Sequence, residues 1–227
     1  MNDRWVILDV GETLIDETRV WSTWADQLGI PRLTFMALLG ATIAEGGQHH
    51  DVFARFGIDR WREWAGAAES AYGGFQASDL YPDALRSIDA LKARGYRIAI
   101  VANQPAQRTA ELRALGIEAE VMAMSAEMQL SKPDPAFFAK ALELIGSPPP
   151  VQVAYVGDRV ENDVIPSIEA GMRAIWIRRG PWGLIQQLPP DMRPALVVDS
   201  LDELVERIGE AWSDVPPPTL PGASGAN

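Results

Sequence analysis

Cysteine is absent from the sequence, which excludes disulfides, thiolate metal sites and thiol catalysis. Positive charge is in deficit: 20 Lys and Arg stand against 31 Asp and Glu, a net charge of −11. That balance argues against nonspecific binding to nucleic acid or to anionic membranes. An anionic ligand would therefore need a local metal or cationic site. No run reaches the roughly 20 apolar residues of a membrane helix. The first strand-like run begins at Trp5 and leaves no room for a signal peptide. The expectation is a cytoplasmic protein with no nucleic-acid and no membrane partner. Apolar side chains are plentiful. Hydrophobic residues make up 47% of the chain against 22% charged, enough for a packed core. Of the eight tryptophans, Trp5, Trp21, Trp24, Trp61 and Trp64 fall in the first third.

At 227 residues the chain suits one large domain or a core with an inserted subdomain. Apolar runs of strand length recur at Trp5–Leu8, Arg97–Ala102, Glu120–Met124, Val153–Val156, Ala174–Ile177 and Ala195–Val198. After residue 90 they alternate with helix-like segments at Gln107–Leu115, Pro135–Ile145, Val164–Ala170 and Leu201–Trp212. Such alternation predicts a parallel sheet covered on both faces. The interval from 15 to 80 breaks the rhythm. It carries no convincing strand and reads as amphipathic helices over about 18–28, 32–45, 50–57 and 59–73, separated by glycine-containing breaks. The predicted fold is a three-layer α/β/α, Rossmann-like core with a mainly parallel sheet, plus an inserted all-helical cap. The core takes residues 1–14 and 81–212 and the cap 15–80. Residues 213–227, rich in Pro, Gly, Ala and Ser, read as a loose tail.

Asp9 ends the first strand run and opens a turn, Val10-Gly11-Glu12-Thr13-Leu14. In an open α/β sheet, ligands bind at the carboxyl ends of the strands, and a carboxylate there can bind a metal or act as a nucleophile. A plain turn residue is the bland alternative, since turns favour Asp. Three further segments fall where later strands should end: Ala102-Asn103-Gln104, Ser131-Lys132-Pro133 and Gly157-Asp158 through Asp163. A parallel sheet would bring them together with Asp9. Carboxylates are hard oxygen ligands suited to Mg²⁺, which also takes phosphate oxygens readily. Lys132 can neutralise Asp9 and a transferring phosphoryl group, and phosphoryl transfer is catalysed chiefly by positioning and charge neutralisation. Asn103 can donate hydrogen bonds to phosphate oxygens.

Together these motifs resemble the haloacid dehalogenase superfamily. The resemblance rests on Asp9-(three residues)-Thr13-Leu14, on Asn103 after the second core strand, on Ser131-Lys132-Pro133 and on Gly157-Asp158-(four residues)-Asp163, in order. The helical insertion and the Tyr81-Pro82-Asp83 return resemble the subgroup that carries a helical cap between its first two motifs. What the resemblance implies is a Mg²⁺-dependent phosphohydrolase acting on a small phosphorylated molecule through an aspartyl-phosphate. Asp9 would be nucleophile and metal ligand, and Lys132 would stabilise both Asp9 and the phosphoryl group. Asp158 would be a direct ligand, Asp163 a ligand through water or an orienter of Lys132, and the Gly11 carbonyl the remaining ligand. A mobile cap would exclude water and select the substrate.

Two positions depart from the family pattern. The second Asp that serves as general acid and base is Gly11, and the phosphate-holding Ser or Thr is Ala102. General acid–base help is typically worth about 10²–10⁴-fold, so the sequence also admits a slow or specialised enzyme. A catalytically degenerate member that binds a ligand or partner is the alternative. Carbon–halogen hydrolases of the family lack the second Asp too, but they also usually lack the Asp at position 158. Phosphonate cleavage needs a cap lysine, and no lysine precedes Lys92. Glu12 is the nearest replacement carboxylate, while Asp16 and Glu17 read as solvated hinge residues. The tryptophans at spacing of three read as cap core or seam, His49 and His50 as polar surface, and Arg55, Arg60 and Arg62 as solvated. Arg159 is the better candidate for the active-site rim. Pro181-Trp182-Gly183 reads as a loop near the site. An exposed, tryptophan-rich cap would suit a homodimer.

Overall fold

A computed structural model describes residues 3–213. The segment proposed as a tail therefore lies outside the described residues from 214 onward. Six strands, β1 (Trp5–Leu8), β2 (Arg97–Ala102), β3 (Val121–Met124), β4 (Val153–Gly157), β5 (Arg173–Ile177) and β6 (Leu196–Val198), form one sheet in the order β3-β2-β1-β4-β5-β6. Every pairing is parallel. Their unbroken apolar sequences follow from burial on both faces. Successive side chains point to opposite sides: Val6, Leu8, Ile98, Ile100, Ala154 and Val156 share one apolar layer, while Trp5, Ile7, Ala99, Val101, Val153 and Tyr155 share the other.

Helices close both faces. On the first lie α4 (Ala84–Ala93), α5 (Arg108–Ala114) and α10 (Leu201–Arg207), contributing Ile88, Leu91, Leu112, Leu201 and Leu204 to the core. On the second lies α7 (Pro135–Leu144), whose Phe137 and Phe138 are fully buried against Tyr155. Its start is set by Asp134, whose side chain accepts from the Ala136 amide at 2.8 Å, with Pro135 in the first turn. A short α6 (Ser125–Met128) follows β3, and α8 (Ile165–Glu169) follows a π-helical turn at Val160–Val164. The helix predicted over 164–170 is thus split between two geometries. The sequence pattern gives no helix at Ala84–Ala93, where one stands. Pro181-Trp182-Gly183, expected as a loop, is the first turn of α9 (Gly180–Ile185).

Between β1 and α4 the chain forms α1 (Thr18–Gln27), α2 (Arg32–Ala44), 3-10 turns at His49–Phe56 and Trp61–Trp64, and α3 (Ala65–Tyr72). Trp21, Ala25, Phe35, Leu39, Ile43, Val52 and Phe53 build its own core, and Trp182 of α9 joins them. Trp61 stacks on Phe53 and Trp24 packs against it at a tilt, whereas Trp64 is exposed. Arg19 pins α1 to the return segment: it pairs with buried Asp79 and donates to the carbonyls of Tyr72 and Gly74. Among the described residues no single helix is long and apolar enough to cross a membrane. Only α1 and α2 together reach that length, and they are bent by 115°.

Candidate active site

The strand order places the topological switch beside β1, between β1 and β4, where a crevice opens at the carboxyl ends. The register pairs Leu8 with Val156, and the Asp9 amide donates to the Val156 carbonyl at 2.9 Å. Asp9 and Asp158 therefore leave neighbouring strands side by side. Lys132 arrives from the segment after α6. Its backbone is clamped by Asn103, whose Oδ1 accepts from the Lys132 amide at 2.8 Å and whose Nδ2 donates to the Lys132 carbonyl at 2.9 Å. Lys132 Nζ lies 2.7 Å from Asp9 Oδ1 and 2.6 Å from Asp163 Oδ1. The π-helical turn after β4 aims Asp163 inward, and Asp163 Oδ2 accepts from the Arg159 amide at 2.9 Å. Gly157 is a spatial requirement: a Cβ there would lie 2.4 Å from Asp163 Cγ.

The predicted Asp9, Lys132, Asp158 and Asp163 thus meet at one point, all buried. Burial pushes the Asp9 carboxyl up to about 6, against the pull of Lys132. Burial would lower Lys132, but Asp163 and Asp9 outweigh that and hold it well above its ordinary value. Asp158 is pushed well up by burial, then by Asp163 and Asp9, and its Oδ2 is buried without a hydrogen-bond partner. Oxygens of Asp9, Asp158 and Asp163 all lie within 4.8 Å of one another. Hard oxygen donors, surplus negative charge and an orphaned carboxylate oxygen fit a divalent cation.

A cleft of about 460 Å³ rises from this point. Asp9, Gly11, Asn103, Lys132, Asp158 and Asn162 line it from the sheet, and Trp21, Trp24, Gln48, His49 and His50 from the helical insertion. Arg159 spans the two walls, donating to Gln48 Oε1 at 2.8 Å with its guanidinium 4.5 Å from the centre of the Trp182 ring. His49 and His50 are not plain polar surface. His49 packs against Trp21 and Trp182 at ring distances of 5.7 and 6.4 Å, and burial, then Arg159, lowers its pKa to about 4. Ala102 is fully buried in the apolar layer and offers nothing to a phosphate. Asn103 keeps one amide N–H beyond its bond to Lys132.

The carboxylates after Asp9 differ most from expectation. Glu12, at φ 50, borders the cleft but is buried there with both carboxylate oxygens engaged. Its Oε2 accepts from the Tyr81 hydroxyl and its Oε1 from the Glu17 amide. These bonds offset the cost of a left-handed backbone, about 1 kcal/mol or more for a residue with a Cβ. Glu17 is not a solvated hinge residue. It is half-buried, lines the cleft, and is pushed up to about 8 by burial and then by Glu12. It stands at the N-cap of α1, yet its side chain makes no capping bond. The sequence signal for it was faint: a glycine at position 11 with an acidic residue six positions on, just before the first helix.

The haloacid dehalogenase-like hydrolase family model matches residues 4–171, and the chain belongs to that family; it is a hydrolase. A glyceraldehyde 3-phosphate phosphatase of Methanopyrus kandleri is 27% identical over 186 residues, 78% of this chain and 79% of the relative. A phosphoserine phosphatase of Thermus thermophilus is 31% identical over 140 residues, 60% of this chain and 54% of the relative. Among solved structures, the Bacillus subtilis HAD-hydrolase YfnB bound to magnesium superimposes with a TM-score of 0.69 at 18% identity, covering 91% of this chain and 98% of that one. That last likeness is one of fold.

Proposed function

We propose that the protein is a Mg²⁺-dependent phosphohydrolase that acts on a small phosphorylated metabolite through an aspartyl-phosphate, with the helical insertion as its cap. The observation that carries this reading is the Lys132 ammonium held between Asp9 and Asp163 at 2.7 and 2.6 Å, beside the unpartnered carboxylate of Asp158. The two relatives' names, both phosphatases of small phosphorylated compounds, support the substrate class.

Asp9 is fixed in place by its contact with the Lys132 ammonium, and one of its carboxylate oxygens attacks phosphorus in line. The bond from phosphorus to the leaving oxygen breaks, and Asp9 carries the phosphoryl group until water displaces it. Lys132 neutralises negative charge on Asp9 and the transferring group, where a low-dielectric site strengthens the effect. Asp163 and Asn103 hold Lys132 from two sides. Asp9, Asp158 and the Gly11 carbonyl would hold Mg²⁺, with Asp163 behind them, and the cation when bound would supply further charge neutralisation at the phosphate oxygens. The insertion's aromatic wall restricts water and selects the leaving group.

Asp158 disfavours carbon–halogen hydrolysis, which does not need that carboxylate. Ala102 and Gly11 leave a second reading, a metal-binding family member with little turnover. Phosphate release from acyl, aryl and alkyl phosphates, with Mg²⁺ or with EDTA, separates the two. Turnover that needs Mg²⁺ and disappears in Asp9→Asn is expected. Metal binding with no turnover on any ester would establish the second reading.

A further inference from the structure

We propose that Glu17 is the proton-transfer group of this site, donating to the leaving oxygen in the first step and accepting from water in the second. The inference rests on the phosphohydrolase reading and names the residue that reading leaves unassigned. Expulsion of an alkoxide from phosphorus needs a proton at the leaving oxygen, and breakdown of the acyl phosphate needs a base on water. Gly11, two residues after Asp9, has no side chain to serve. Its room is filled all the same: a Cβ built on Gly11 would lie 2.4 Å from Glu17 Oε1 and 3.0 Å from Glu17 Cδ. The carboxyl group of Glu17 thus occupies the space beside the nucleophile's loop that a side chain at position 11 would take.

The orientation of Glu17 is fixed rather than incidental. Its amide donates to Glu12 Oε1 at 3.1 Å, and its Oε2 accepts from Trp21 Nε1 at 3.3 Å, one helical turn on. Among the described residues no donor is bonded to Oε1. An acidic residue at an N-cap ordinarily bonds the first-turn amides, and this one does not. Its side chain is directed to the cleft instead. Glu12 and the two histidines, the other proton carriers of the loop and the insertion, are engaged elsewhere. Both Glu12 oxygens accept hydrogen bonds. His49 is wedged among Trp21, Trp182 and His50, and His50 lies on Trp61, 3.6 Å from Asp51.

The steps balance. Asp9 forms its bond to phosphorus as the ester oxygen leaves, and that oxygen takes the Glu17 proton, leaving a Glu17 carboxylate. The carboxylate then takes a proton from water as the water oxygen bonds to phosphorus. The bond from phosphorus to Asp9 breaks, releasing phosphate, and Glu17 is protonated again.

The test compares wild type with Glu17→Gln, which keeps the shape of the side chain and an acceptor for Trp21. Substrates are an alkyl phosphate, whose leaving group needs a proton, and 4-nitrophenyl phosphate, whose leaving group does not. Glu17→Gln is expected to lose about 10²–10⁴-fold on the alkyl ester. On the aryl ester it is expected to release about one equivalent of nitrophenol in a burst and then stall at the aspartyl-phosphate. Rates within about threefold of wild type on both esters, or an equal loss on both without a burst, overturn the proposal, because a structural role does not sort leaving groups. If Glu17→Gln does not fold, the double variant G11D/E17A decides. Recovery of alkyl-ester hydrolysis over E17A alone supports the assignment, and no recovery in a folded double variant overturns it. A folded wild type that hydrolyses neither ester overturns the phosphohydrolase reading as well, whereas an active wild type matched by Glu17→Gln overturns only this one.

Discussion

Asp158→Asn should make the cation-free protein more stable and the Mg²⁺-loaded protein less responsive. Without a cation, three buried carboxylates share one ammonium. Their nearest oxygens lie within 4.8 Å of one another, so at an effective dielectric constant of about 20 each like-charge pair costs at least about 3 kcal/mol. Asp9 and Asp163 each recover that in direct contact with Lys132. Asp158 faces both of them and has no such contact, and its Oδ2 has no partner at all. Asp158 escapes that repulsion by holding a proton, which its raised pKa favours; protonating an ordinary carboxylate at pH 7 costs up to about 4 kcal/mol, so a net penalty of roughly 3 kcal/mol is left on Asp158. Asparagine removes it while keeping the shape. At about 2–4 °C per kcal/mol for a domain of this size, Asp158→Asn should melt roughly 6–12 °C above wild type in EDTA. Mg²⁺ at about 100 times its Kd should add about 2.7 kcal/mol to wild type, roughly 5–11 °C, and little to the variant. Scanning calorimetry of both proteins, with EDTA and with Mg²⁺, gives the four midpoints. A variant that melts below wild type in EDTA, or an equal Mg²⁺ rise in both, would refute the assignment of Asp158 as the uncompensated charge that the cation meets.

Lys132→Met strands Asp9 and Asp163 without their counter-ion, so it should cost about 3–5 kcal/mol in denaturant titration and abolish phosphate release; near-wild-type turnover would contradict its role. Gly157→Ala puts a Cβ 2.4 Å from Asp163 Cγ, so Asp163 must move off Lys132. The expected result is a loss of about 1–3 kcal/mol with a disproportionate loss of activity, checked by setting kcat beside the melting midpoint. His49 has a pKa lowered from 6.5 to about 4. It is held neutral when folded and takes a proton first when unfolded, so its contribution is complete above 6.5 and is lost as pH falls from 6.5 to 4. Discounted for partial exposure, that is about 2–3 kcal/mol. Wild type should therefore lose about that much more stability than His49→Phe between about pH 7.5 and pH 4.5 in urea titrations, and parallel losses would count against it.

The core was legible because its periodicities are strong. Unbroken apolar runs alternating with glycine-ended helical segments specify a parallel sheet, and three of the six runs are followed directly by candidate site residues: Asp9, Asn103 and Asp158. The cluster Asp9–Lys132–Asp163 follows from strand order, which a sequence can imply through motif order alone. Two features were not legible. Helix α4 packs Ile88 and Leu91 against the sheet from a segment masked by the Tyr81-Pro82 turn. The environments of His49 and Glu17 depend on side-chain direction across a gap between two packed bodies. Whether an acidic residue before a helix caps its amides or turns into a cleft is decided by what lies opposite, and here that is the absent side chain of Gly11.

That placement changes which part of the molecule governs proton transfer. A proton donor at position 11 would ride on the loop after β1, fixed to the sheet as Asp9 is. Glu17 instead stands at the N-terminus of α1, the first helix of the insertion, whose position depends on three sets of contacts. One is the Arg19–Asp79 pair at its base. Another is Trp21 against Phe35 and Trp182. The last is the Glu17 amide bond to Glu12. The carboxyl group is thus seated by the same packing that forms the aromatic wall of the cleft. Proton transfer and leaving-group selection then share one structural element, so a substrate that disturbs the aromatic wall would also displace the acid. Specificity on such a site would appear in kcat as well as in KM, because a poorly fitting leaving group meets a misplaced proton and not merely a weaker grip.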